Sequence, residues 1–184
     1  RENDIFETVQ VPFNPVEDDP LKELLPECER RDIGSIAMKP AGGGNFTEAA
    51  LSIKWCLTQP VTVAIPGMEL VSEVEENAAM GRGRVELTAE EQAAVDQMKS
   101  ELGQRTCRRC GYCEPCPNDV RIFLLLNGRG IMRRMGVERF KQWGAREAIQ
   151  SVENCIECGQ CTEKCPYDLP IPELIREAAA YYEG

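Results

Sequence analysis

Eight of the ten cysteines fall in two short runs. "CRRCGYCEPCP" sets Cys107, Cys110, Cys113 and Cys116 on every third position and closes on Pro117. "CIECGQCTEKCP" sets Cys155, Cys158, Cys161 and Cys165 and closes on Pro166. A secreted disulfide scaffold spreads its cysteines through a short chain. Clustered C-x-x-C repeats in a chain of 184 residues point instead to metal thiolates in a reducing compartment. The spacing C-x2-C-x2-C-x3-C-P lets three close thiolates wrap one four-iron cluster while the fourth reaches a second cluster. The second run fits that spacing residue for residue. The first departs from it only in its last gap, which is two residues, Glu114 and Pro115.

The crossed pattern assigns one [4Fe–4S] cluster to Cys107, Cys110, Cys113 and Cys165, and another to Cys155, Cys158, Cys161 and Cys116. Such crossing couples metal binding to folding. Gly111 and Gly159 follow the second cysteine of each run, where glycine lets a loop turn tightly with its N–H groups toward sulfur. The prolines suit the first turn of a following helix. Structural zinc is the rival reading, since C-x2-C pairs are common zinc ligands, but zinc sites ordinarily take two pairs per ion. The absence of histidine excludes Rieske ligation and His-ligated haem. The shortened gap leaves open a 3Fe–4S or otherwise ligated first site. Cys28 and Cys56 stand alone and read as structural thiols, with Cys56 buried in the apolar helical pattern "ALSIKWCL".

The rest of the chain must position these loops. Residues 6–14, 33–40 and 61–65 read as strands. Residues 19–31 (weakened by Pro26), 47–59 (with Thr47 as N-cap) and 69–81 read as helices. Strand and helix alternate three times, which implies βαβ units and a parallel sheet. A Gly- and Arg-rich stretch, 81–87, follows. Residues 88–102 read as a helix opened by the capping box Thr88-x-x-Glu91. Helical patterns fill 117–154, broken at Gly128, Gly130, Gly136 and Gly144, and a last helix starts near Pro172. No strand is expected after residue 85. The fold class is α/β plus all-α, with a first domain over 1–85 and a helical iron–sulfur domain over 86–184.

Three stretches of the first half, "VQVPFNPVE", "IGSIAMKPAGGG" and "PVTVAIPGMELVSEVEEN", resemble in order the last three barrel strands of the aldo/keto reductase family. The cysteine half is similar to the dicluster domain that follows the barrel in one branch of that family. The resemblance implies a partial (β/α)8 barrel with a nicotinamide cofactor, NAD(P), at its C-terminal face. It matches Gln10 to the residue that holds the carboxamide. Lys39, Gly42, Gly43 and Gly44 fall near nicotinamide and pyrophosphate, Pro66, Gly67 and Met68 in the adenosine-phosphate loop, and Glu76 and Asn77 at adenine. Met38 replaces the usual stacking aromatic. Glu73 stands where an arginine often meets the 2′-phosphate, and an acid there repels an extra phosphate. The family's catalytic residues lie on earlier strands, so this chain reads as a C-terminal portion lacking its N-terminal barrel half, with no catalytic residue of its own.

Charge separates the halves. Residues 1–103 carry 9 Lys/Arg against 20 Asp/Glu, and residues 104–184 carry 12 against 11. The overall charge of −10 argues against nucleic acid as the main partner. No apolar run approaches the roughly 20 residues of a membrane span. Between Arg121 and Arg146 there are seven Lys/Arg and one acid, Glu138. That excess either balances anionic clusters or receives an acidic redox partner such as a ferredoxin, flavodoxin or flavoprotein. The expected setting is the cytoplasm. A non-enzymatic electron carrier and a structural zinc-binding interaction module are the alternative functions.

Overall fold

Short β-branched stretches and alternating helices build the first half. The computed structural model describes residues 5–83 and 85–183, so Arg1 and Arg84, which marked the expected truncated start and part of the Gly/Arg-rich stretch, lie outside the described residues. Strands β1 (Thr8–Pro12), β2 (Gly34–Met38) and β3 (Val63–Ile65) form one parallel sheet with β2 in the middle. Val9 pairs with Ser35, and Ala37 pairs with Ala64. The helices are α1 (Leu24–Arg30), α2 (Ala49–Leu57), α3 (Val71–Met80) and α4 (Ala89–Leu102).

The 19–31 segment divides into a 3-10 turn, Asp19–Leu21, and α1. Pro26 is harmless in the first turn of α1, where an N–H has no intrahelical acceptor. Thr47 is not the cap of α2: that helix starts after Glu48, with no side-chain cap. The Thr88 capping box forms as expected. Glu91 N donates to Thr88 Oγ1 at 3.2 Å, and Thr88 N donates to Glu91 Oε2 at 2.7 Å.

By their contacts the residues divide at Gly103/Gln104. The 88–102 helix, grouped with the cysteines on sequence grounds, belongs with the sheet. Its Val95 packs in one core with Phe13, Leu25, Ala37, Trp55 and Cys56. Burying each large apolar side chain there is worth about 1.5–3 kcal/mol. Lys54 Nζ donates to both carboxylate oxygens of Glu91 at 2.6 and 2.7 Å, and Lys99 Nζ reaches Asp18 at 2.5 Å. A helix with good local signals can join either neighbour, and the side chains that decide it are far away in sequence.

The second unit is helical: α5 (Ile122–Met135), α6 (Val137–Gln142), α7 (Ala145–Ser151), α8 (Gln160–Glu163) and α9 (Ile171–Glu183). Among the described residues no strand follows Ile65. Gly136 and Gly144, at φ of 80° and 88°, end and begin helices as expected. Gly128 and Gly130 do not; both are buried inside α5. A Cβ on Gly128 would lie 2.5 Å from Tyr182 Oη and 2.7 Å from the Phe140 ring, so the missing side chain admits two aromatic residues. The core joins Ile122 and Leu125 of α5 to Leu169, Ile171, Leu174 and Ile175. Tyr182 of α9 donates to the Leu125 carbonyl at 2.8 Å. No helix among the described residues is long and apolar enough to cross a membrane.

Candidate metal centre

The two cysteine runs fold into similar loops. A non-glycine residue in the left-handed region comes first, Arg109 at φ 63° and Glu157 at φ 55°. Glycine follows, Gly111 at 80° and Gly159 at 79°. Open space surrounds both glycines, so a Cβ would meet no atom; what glycine supplies there is the positive φ. The turns aim backbone N–H groups at sulfur: Arg109 N lies 3.4 Å from Cys107 Sγ.

Two pockets open beside these loops. One, of about 360 Å³, is walled by Cys107, Cys110, Cys113 and Cys165. The other, of about 410 Å³, is walled by Cys155, Cys158, Cys161, Cys116 and Cys113. Each pocket thus joins the three close thiols of one run to thiols of the other, one in the first pocket and two in the second. Arg108 helps hold this crossing, its guanidinium carbon 4.7 Å from the ring centre of Tyr167, two residues past Cys165. Arg105 clamps the first run to α9 through Glu173 at 3.0 Å and Glu177 at 2.6 Å. None of the ten cysteines is paired in a disulfide.

Among the described residues no three Cys, Asp or Glu side chains converge closely enough to hold one metal ion. Tetrahedral zinc would need its sulfurs roughly 3.8 Å apart, from Zn–S bonds of about 2.3 Å. A four-iron cluster instead takes one thiolate on each of its irons. Burial pushes the Cys113 thiol up to about 11, with the nearby Cys107 sulfur adding to the effect. Burial also raises Cys161, against hydrogen bonds from Thr162. Metal must therefore displace protons here.

Asn127 went unnoticed in the sequence. It is buried on α5, its Nδ2 donates to the Phe123 carbonyl at 2.8 Å, and it lies 3.6 Å from Cys107 Sγ. Its Oδ1 is buried with no partner among the described residues. Such an unmet acceptor costs about 1–3 kcal/mol. The available signal was a lone amide in the apolar stretch "IFLLLNG".

Of the first-half candidates, Lys39, Gly42, Gly43 and Gly44 follow the carboxyl end of β2, Pro66, Gly67 and Met68 follow that of β3, and Gln10 lies in the middle of β1. Gln10 is exposed on β1, and its Nε2 donates to Met38 Sδ at 3.2 Å. Lys39 (φ 55°) and Gly42, Gly43 and Gly44 (61°, 69° and 89°) form consecutive turns after β2. Phe46 packs where a Gly42 side chain would stand, at 2.6 Å. Buried Asn14 donates to the Lys39 carbonyl at 3.1 Å and steadies the loop. Pro66, Gly67 and Met68 follow β3, whereas Glu76 and Asn77 lie on α3, of which no residue is buried. Glu73 accepts from the N–H groups of Glu69 and Leu70 at 2.7 and 3.0 Å; these bonds lower its pKa and commit it to its own helix start. Cys56 is buried, its thiol pushed up to about 12 by burial.

The Arg133 and Arg134 pair ends α5, whereas the pocket residues Ile122, Phe123 and Leu126 begin it. At 1.5 Å per residue the two ends lie roughly 15 Å apart. The Arg133–Arg134 pair therefore lies away from the thiol pockets, whereas Arg108 lines one of them.

No curated protein and no solved structure matches the chain. Residues 106–170, which hold all eight clustered cysteines, match the family model of a 4Fe-4S dicluster domain, and this stretch is accordingly an iron–sulfur domain of electron-transfer type.

Proposed function

We propose that the second unit holds two [4Fe–4S] clusters and serves as the electron-transfer portion of an aldo/keto-reductase-like oxidoreductase. The observation that carries this is the make-up of the two pockets: the three close thiols of one run meet Cys165 in the first, and those of the other run meet Cys116 and Cys113 in the second. Cys107, Cys110, Cys113 and Cys165 would hold one cluster, and Cys155, Cys158, Cys161 and Cys116 the other. Each bound cluster supplies reversible one-electron transfer. The residues of the chain do the rest. Gly111 and Gly159 shape the loops, Arg109 N–H hydrogen-bonds to the Cys107 sulfur, and Val120, Ile122, Ile175 and Leu169 keep the inner pocket walls apolar.

The first unit reads as the last three βα units of a barrel able to hold NAD(P). Parallel register and the position of Lys39, Gly42–Gly44 and Pro66–Met68 just past the strands' carboxyl ends support this. So does the uncovered apolar surface of β3 and α3, where Val63, Ile65, Val71 and Val74 are exposed. Catalysis of carbonyl reduction would require residues outside this chain. Nicotinamide moves two electrons as hydride and the clusters move them singly, so a flavin-containing partner fits the whole assembly. A plain electron carrier is the second reading, favoured by the engagement of Gln10 with Met38 and of Glu73 with its own helix.

Iron and acid-labile sulfide analysis of the anaerobically purified chain tests the core claim. A brown, dithionite-bleached protein with about eight iron and eight sulfide per chain is expected. Zinc without sulfide overturns it. A nicotinamide titration then separates oxidoreductase from carrier.

A further inference from the structure

Asn127 occupies a place where an apolar side chain would be simpler. The other buried residues of α5 are Ile122, Leu125, Gly128 and Gly130. The direction of its amide follows from its neighbours, since exchanging nitrogen and oxygen would set Oδ1 against the Phe123 carbonyl oxygen. The amide therefore offers N–H toward Cys107 Sγ and leaves Oδ1 unmatched. What Leu could not provide at this position is a donor at a ligand sulfur. Such a donor draws charge from the sulfur and favours the reduced, more negative state of the attached group.

The arrangement belongs to one pocket only. The corresponding step of α9, counted from Ile171 as Asn127 is from Ile122, is Arg176. Its guanidinium is ion-paired with Glu157. Asn127, by contrast, reaches its sulfur from twenty residues away on a rigid helix.

We propose that Asn127 is a positioning residue that raises the reduction potential of the cluster in the Cys107, Cys110, Cys113 and Cys165 pocket and leaves the other cluster untouched. This rests on the two-cluster reading above. The test is a redox titration of the full chain, loaded anaerobically and followed by electron paramagnetic resonance, with iron and sulfide measured on the same samples. Asn127→Leu should keep its iron and lower one midpoint. The expected size is about tenfold in the reduction equilibrium, or 59 mV for a one-electron couple, while the other midpoint stays in place. Asn127→Ser, too short to reach the sulfur, should shift the same midpoint in the same direction. Midpoints that stay put, move together or rise overturn the proposal. So does loss of a cluster in both variants, which would make Asn127 a structural residue. A wild-type chain without iron and sulfide would instead overturn the two-cluster reading itself.

Discussion

The two cysteine segments share a backbone and differ in almost everything attached to it. After Gly111 and Gly159 the likeness continues through Cys116-Pro-Asn-Asp-Val-Arg-Ile122 and Cys165-Pro-Tyr-Asp-Leu-Pro-Ile171. Asp119 and Asp168 both take positive φ, 56° and 50°, and their N–H groups donate to the carbonyls of Cys116 and Cys165 at 3.1 and 3.2 Å. Val120 and Leu169 are buried, and Ile122 and Ile171 are the buried first residues of α5 and α9. Beyond that the halves part. α5 carries buried Asn127 and Gly128 where α9 carries exposed Arg176 and Glu177. The second loop has room for the short helix α8, and the first, one residue shorter, does not. A few turn residues thus specify the thiol positions twice, leaving the surrounding side chains to make the two pockets unequal.

The largest effect should come from breaking the crossing. Cys165→Ser should remove the cluster built on Cys107 and leave the one beside Cys165 in sequence, so that iron and sulfide fall by about half. Cys158→Ser should remove the other cluster. The two variants should therefore keep different magnetic resonance signals. The same surviving signal in both would mean that each run binds its own cluster, and the comparison of halves would need a different basis.

Gly128 tests the unequal part. A methyl group there would press on Tyr182 and Phe140, both folded over α5. Gly128→Ala should cost about 1–3 kcal/mol in a denaturant titration of the loaded chain. Glu177→Ala, at the matching step of α9, loses only an exposed pairing with Arg105 and should cost under about 1 kcal/mol. Equal losses would show that packing around the two helices is less different than the contacts indicate.

The thiol pattern was legible because loop spacing and ligand chemistry are both local. The proposed crossing rests on the spacing of Cys155 to Cys165. The longer repeat through Asp119 and Asp168 was also in the sequence, hidden by the one-residue change that shifts its offset from 48 to 49. Gly128 was not legible. A glycine that breaks a helix and one that admits a ring look alike until Phe140 and Tyr182 are known to lie against it. The placement of α4 failed for a similar reason, because Thr88 and Glu91 fix where that helix starts but Trp55 and Phe13 fix where Val95 packs. Asn127 could be seen as a polar interruption, but its partner is a sulfur twenty residues earlier.

Gly111→Ala and Gly159→Ala probe the equal part. Neither Cβ would meet a neighbour, so the penalty is the left-handed backbone alone, about 1–2 kcal/mol in each case. Matched losses in thermal or denaturant unfolding would sharpen the likeness. A much greater loss at one position would show that one loop leans on contacts its counterpart lacks.

The smallest effect concerns the bond that joins the halves, from Tyr182 on α9 to the Leu125 carbonyl on α5. Burial pushes the Tyr182 phenol from 10.0 up to about 12. The folded chain therefore keeps this proton after the unfolded chain has lost it. The resulting stabilisation is fully present below pH 10 and fades as pH rises toward 12. Absorbance of tyrosinate should show one of the four tyrosines titrating late, and Tyr182→Phe should abolish that late phase. The variant should also lose less stability than the parent across the same interval, because it has no phenol to ionise there. A late phase that survives the substitution would assign the shifted phenol to another tyrosine and leave the contact between α5 and α9 resting on Gly128 and its aromatic neighbours.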